Sequence, residues 1–135
     1  RLHAILARLD RSAATYGMIH ADMHPGNVLV DGERLTIIDF DDAGWGWHAY
    51  DIAVALFYHQ RNPNFATFER AYLDGYRSVR RLSDQTLALL PTFRLIRGLA
   101  QIGWFHQRPE LDRAARFEET KAIVLEQCRA LERGL

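Results

Sequence analysis

The sequence predicts a mainly helical fold that carries one small β-hairpin. Three observations predict it. Apolar residues recur at helical spacing at the start of the chain and through most of its second half. Two short apolar runs flank an Asp31-Gly32 pair, as two strands flank a tight turn. Polar segments rich in aspartate, glycine and histidine border those runs on both sides, which marks them as loops.

Taken in order, Leu2, Ile5, Leu6 and Leu9 define one face of an amphipathic helix over 1–15, ended near Tyr16-Gly17 by a glycine cap. Met18-Ile19 lead into a loop, His20-Ala21-Asp22-Met23-His24-Pro25-Gly26-Asn27. Val28-Leu29-Val30 and Leu35 to Ile38 are the two strands. A second polar loop runs from Asp39 to Trp47. Helices follow over 48–59, which stops at Asn62-Pro63, and over 65–79. Ser83 and Asp84 cap a third segment, Pro91 opens a helix reaching 107, and the last helix covers 111–132 beyond Pro109. Tyr58, Trp104 and Phe105 are read as core. With no repeat or linker in view, residues 1–135 read as a single domain.

Composition narrows the function. Lys+Arg and Asp+Glu are 17 each, so no bulk charge attracts nucleic acid. The longest apolar stretch, Ile52 to Tyr58, is too short to cross a membrane. Cys128 has no partner cysteine in the chain, which fits a reducing, cytoplasmic setting.

The chemistry is concentrated at the two ends of the hairpin. Asp22 and Asn27 lie five apart, Asp39 follows twelve beyond, and short strands between them let the three side chains converge. A magnesium ion takes hard oxygen ligands, often one or two from protein and the rest from substrate phosphates. The spacing matches the kinase pattern H-R-D-x-x-x-x-N followed by D-F-G. Ala21 stands where that pattern has arginine and Asp41 where it has glycine, departures that point away from protein kinases proper. His20, Asp22 and His24 also spell H-x-D-x-H, a zinc-hydrolase reading that leaves Asn27 and Asp39 without a role.

With Tyr50-Asp51-Ile52-Ala53 added, these motifs resemble the aminoglycoside phosphotransferase/choline kinase-like superfamily. In motif they come nearest to homoserine kinases and stress-response serine/threonine kinases. The resemblance implies the C-terminal, catalytic lobe of the protein kinase-like fold. It implies transfer of the ATP γ-phosphate to a hydroxyl of a small molecule or of a protein serine or threonine. It makes Asp22 the catalytic base or hydroxyl-orienting residue, and Asn27 and Asp39 the magnesium and nucleotide ligands. Asp41 is a further candidate ligand. His20 would tie the catalytic loop to the segment around Asp39, and Asp51 would accept backbone N–H bonds from that loop. Asp42, His24, Trp45 and Trp47 border the site without an assigned role; the two tryptophans read as packing or as a cation-binding face.

A kinase also needs a glycine-rich loop and a strand lysine. No G-x-G-x-x-G occurs, and Lys121, the one lysine beside 16 arginines, falls in the last helix. The N-terminal ATP-clamping lobe is therefore expected to be absent, and the chain to be inactive alone. A non-catalytic lobe kept for binding or assembly is the alternative. A docking surface left uncovered favours self-association, so a homodimer through that face is a further expectation.

Overall fold

A computed structural model describes residues 2–111 and 113–134. Arg1 and Asp112, which the expected first and last helices include, lie outside the described residues. The elements are α1 (Leu2–Leu6), β1 (Tyr16–Ile19), β2 (Val28–Asp31), β3 (Arg34–Ile37), β4 (Gly44–Trp47), α2 (His48–Phe57), α3 (Phe65–Val79), α4 (Asp84–Ala88), α5 (Leu90–His106) and α6 (Ala114–Arg133). The mainly α reading with a β-hairpin holds. The helix boundaries read from the sequence hold closely from α2 onward, and the Ser83 hydroxyl caps α4 by accepting from the Thr86 N–H.

Two elements differ. The first helix ends at Leu6 rather than near 15, because the segment beyond it has a local alternative. The Asp10 carboxylate accepts from the Ser12 N–H (3.0 Å) and hydroxyl (2.6 Å), and the Thr15 hydroxyl bonds the Asp10 carbonyl (2.9 Å). Short polar side chains that satisfy nearby backbone in this way compete directly with helix. The chain then enters β1, which pairs antiparallel with β4 in the register Tyr16↔Trp47 to Ile19↔Gly44. The end of the second polar loop is thus a strand. Its glycines hid it, yet Gly46 is required there: an added Cβ would stand 2.3 Å from Ile19 Cδ1.

The fold therefore holds two separate two-stranded sheets, β1–β4 and β2–β3. In the second, Gly32 adopts φ +58° at the turn, a conformation glycine reaches without steric cost. The core lies under the first. Ala49, Ile52, Ala53 and Leu56 of α2 meet Leu90 and Phe93 of α5, and Trp47 of β4 packs on Phe93 (ring centroids 5.9 Å). Helix α2 is buried nearly all round because α5 covers one side and the β1–β4 sheet lies against another. At Gly98, α5 comes so close to α6 that a Cβ would meet Val124 Cγ2 at 2.5 Å. The expected aromatic core residues lie further out: Trp104 and Phe105 are half-buried at the far end of α5, and Tyr58 is 42% exposed. No helix among the described residues is long and apolar enough to cross a membrane.

Candidate active site

The loop between β1 and β2 is pinned from below. Asp51, in the first turn of α2, accepts the His20 N–H on Oδ2 (2.8 Å) and the Ala21 N–H on Oδ1 (2.7 Å). Ala21 sits at φ +64°, a left-handed conformation costly for alanine, and the two charge-assisted bonds help hold it there. This is the contact expected of Asp51.

His20 is buried and uses both ring nitrogens. Nε2 lies 3.0 Å from the Ile38 carbonyl and Nδ1 accepts from the Asp22 N–H (3.3 Å), so Nε2 is the nitrogen that donates to Ile38. Since Ile38 precedes Asp39, the imidazole ties the two loops together. Neither nitrogen is left for zinc, and among the described residues no group of three or more His, Cys, Asp or Glu side chains could hold a metal. The H-x-D-x-H reading fails on both counts.

Asn27 is buried and donates from Nδ2 to the Asp22 carbonyl (3.0 Å). The Ile38 N–H donates to the Asn27 carbonyl (3.0 Å), so the root of Asp39 is stitched to Asn27 as well. Asp39 itself is exposed at φ +65°, and among the described residues its carboxylate makes no hydrogen bond. The three predicted residues thus share one end of the β2–β3 hairpin. Among the described residues the Asn27 side chain bonds only through its amide nitrogen. Its amide oxygen and the Asp39 carboxylate, neither hydrogen-bonded among the described residues, are hard oxygens of the kind a divalent cation takes. Asp41 and Asp42 are exposed and make no side-chain bond among the described residues.

His24 closes the loop over itself, with Nδ1 accepting from the Gly26 N–H (3.0 Å) and Nε2 3.6 Å from Asp22 Oδ2. Trp47 packs inward and donates from Nε1 to the Asp10 carbonyl (2.9 Å), whereas Trp45 is 72% exposed and stacks on Tyr16. Trp47 is a packing residue; Trp45 leaves a face free.

One member of the site escaped the sequence reading. Arg97, from the middle of α5, pairs its Nη2 with Asp22 Oδ1 and also donates to the Tyr58 hydroxyl (2.6 Å). A signal was present: Leu90, Phe93, Arg97 and Gln101 fall on one helical stripe, so a charge interrupts an apolar face. Burial would lower the Arg97 pKa, but Tyr58 and Asp22 outweigh it and the net shift is upward. Beyond Tyr58, a cavity of about 230 Å³ is lined by Arg61, Gln101, Phe105, Arg116 and Glu119.

A carboxylate-bearing loop and a second acidic loop, joined by a histidine at the foot of a hairpin and seated on a helical bundle, make up the C-terminal lobe of a kinase-like fold. Residues 1–84 match the model of the phosphotransferase enzyme family, and the chain belongs to that family. It is 30% identical over 138 residues to amicoumacin kinase of Bacillus subtilis, covering 96% of this chain and 40% of the relative. It is 43% identical over 88 residues to a homoserine kinase of Sinorhizobium fredii, covering 62% of this chain and 26% of the relative. Among solved structures, a microcompartment-associated aminopropanol kinase superposes with TM-score 0.77 at 31% identity, over 98% of this chain and 41% of that one. The amicoumacin kinase hAmiN, in complex with AMP-PNP, Ca²⁺ and Ami, gives 0.75 at 28% identity, over 98% and 42%. The chain thus spans about two-fifths of the length of the relatives it covers most fully.

Proposed function

We propose that the protein containing this chain transfers the γ-phosphoryl group of ATP to a hydroxyl of a small molecule. The observation that carries the reading is the knot at one end of the hairpin. Asp22 and Asn27 are bonded to one another, and both are tied through His20 and Ile38 to the root of Asp39. In this reading Asn27 and Asp39 would hold Mg²⁺, which would supply positive charge to offset that of the ATP phosphates. Asp22 orients the acceptor hydroxyl and takes its proton. Because phosphoryl transfer passes through a loose transition state, placement of that hydroxyl matters more than strong base chemistry. The cavity lined in part by Tyr58, whose hydroxyl bonds the same Arg97 that pairs with Asp22, is the proposed acceptor site. Homoserine and aminopropanol, named for two relatives, each carry an amine and a hydroxyl, so an amino alcohol or hydroxy amino acid is the proposed acceptor class.

The nucleotide-clamping lobe belongs, in this reading, to a part of the protein outside these residues. The uncovered β2–β3 hairpin supports it, with Leu29, Val30, Leu35 and Ile37 all at least 44% exposed. The chain alone should bind ATP weakly and turn over negligibly, with self-association through the hairpin face as a side effect.

The test is phosphate transfer by the complete protein with ATP, Mg²⁺ and a panel of amino alcohols. Asp22→Ala should lower kcat by about 10²–10⁴, the usual effect of losing a general base. Undiminished turnover in that variant, or robust turnover by residues 1–135 alone, ends the reading.

A further inference from the structure

We infer that Arg97 is a positioning residue for this transfer: it ties down one oxygen of Asp22 so that the other is presented to the acceptor hydroxyl. The inference rests on the phosphotransferase reading above.

Stability does not account for the residue. Arg97 is only 9% exposed, and its Nε is buried without a hydrogen-bond partner among the described residues. Taking a guanidinium out of water is costly, and a well-packed apolar side chain of similar volume commonly does as well or better in such a place. The neighbours on its stripe, Leu90 and Phe93, are apolar and fully at home in the core.

The geometry shows what the charge does. Nη2 of Arg97 reaches Asp22 Oδ1 and the Tyr58 hydroxyl together. The Tyr58 hydroxyl in turn donates to Gln101 Oε1 (2.9 Å), one turn further along α5. The guanidinium also lies over the Tyr58 ring, 5.5 Å from its centroid. It is thus braced by a residue just past α2 and anchored on a 17-residue helix, not on a mobile loop. Asp22 Oδ2, by contrast, has only long contacts among the described residues, with Asn27 Nδ2 at 3.5 Å and His24 Nε2 at 3.6 Å. It keeps its capacity to accept a hydrogen bond from an incoming hydroxyl. A proton acceptor has to lie about 2.6–3.2 Å from the group it serves, and a displacement of about 1 Å can cost about 10²-fold in rate. Fixing the carboxylate from a rigid helix prevents that loss.

The experiment compares Arg97→Met, Arg97→Lys and Tyr58→Phe with Asp22→Asn in the complete protein, reading kcat, KM for ATP and the thermal midpoint. Arg97→Met should lower kcat by about 10²-fold while KM for ATP and the thermal midpoint stay near wild type. Arg97→Lys should recover part of the loss, since it keeps the charge but not the planar fork. Tyr58→Phe, which removes one hydroxyl from an exposed side chain, should cost about tenfold or less, the scale of one hydrogen bond. If Arg97→Met does not fold, the lysine and phenylalanine variants decide: wild-type kcat in both overturns the inference. So does Arg97→Met within twofold of wild type while Asp22→Asn is inactive. Full turnover in Asp22→Asn overturns the phosphotransferase reading first, and the role of Arg97 with it.

Discussion

The two small sheets are built from strands of the same length and put to opposite uses. In β1–β4, Ile19 and Gly46 are buried, Trp47 packs on Phe93, and the loop that leaves β1 is bonded to α2. In β2–β3, every residue but Val28 is exposed, although five of the eight side chains are apolar. Four backbone-paired residues per strand do not make a stable unit alone, because a two-stranded ribbon is marginal in water without something to cover a face. The first ribbon has its cover inside this chain. Among the described residues the second has only its attachment to the two acidic loops, and its apolar face is uncovered. One ribbon holds the site in place; the other carries it outward.

The contrast can be broken at its strongest point first. Phe93→Ala removes the side chain under Trp47 and should cost about 3–5 kcal/mol, measured by denaturant unfolding of this chain. A loss under 1 kcal/mol would mean that the β1–β4 sheet is not seated as described. Asp51→Asn comes next. It replaces one of the two accepting oxygens with an NH₂ group facing an N–H, and should cost roughly 1.5–3 kcal/mol, the value of a charge-assisted bond. Hydrogen exchange at His20 and Ala21 should rise in step, and unchanged protection there would remove Asp51 from its proposed task.

A smaller effect depends on pH. Burial and the nearby Arg80 charge push the His48 pKa below its ordinary value. The unfolded chain therefore takes up this proton first as pH falls, so His48 contributes stability at neutral pH that is lost as pH falls below about 6.5. The drop in thermal midpoint between pH 7.5 and 5.5 should be smaller in His48→Gln than in wild type. An equal drop would refute this. The smallest effect is expected on the other ribbon. Val30→Thr with Leu35→Thr should change the stability of this chain by no more than about 0.5 kcal/mol. In the complete protein the same pair should weaken nucleotide binding. A large loss of stability in the isolated chain would erase the distinction between the ribbons.

Much of the site was legible because its chemistry is local. Asp22 and Asn27 sit in one loop, Asp39 begins the next, and a hairpin short enough to read from alternating runs and Asp31-Gly32 brings them together. Asp51 was legible from its place in a recognised motif. The segment 7–15 was misread because apolar periodicity cannot register an Asp10 carboxylate that satisfies Ser12. Strand β4 was missed because its partner lies some thirty residues earlier in the chain (Tyr16↔Trp47) and its Gly46 is explained only by the Ile19 side chain packed over it.

By itself, then, the sequence determined the helical frame from α2 onward, the hairpin and the three oxygen-bearing side chains at its end, since these follow from spacing within a few residues. Tertiary structure alone decided which ribbon is covered, that Tyr58 leaves the core, and that Arg97 reaches Asp22 across 75 positions. Those outcomes depend on how α5 packs against α2, and helix packing is set by side-chain shapes from distant parts of the chain acting together.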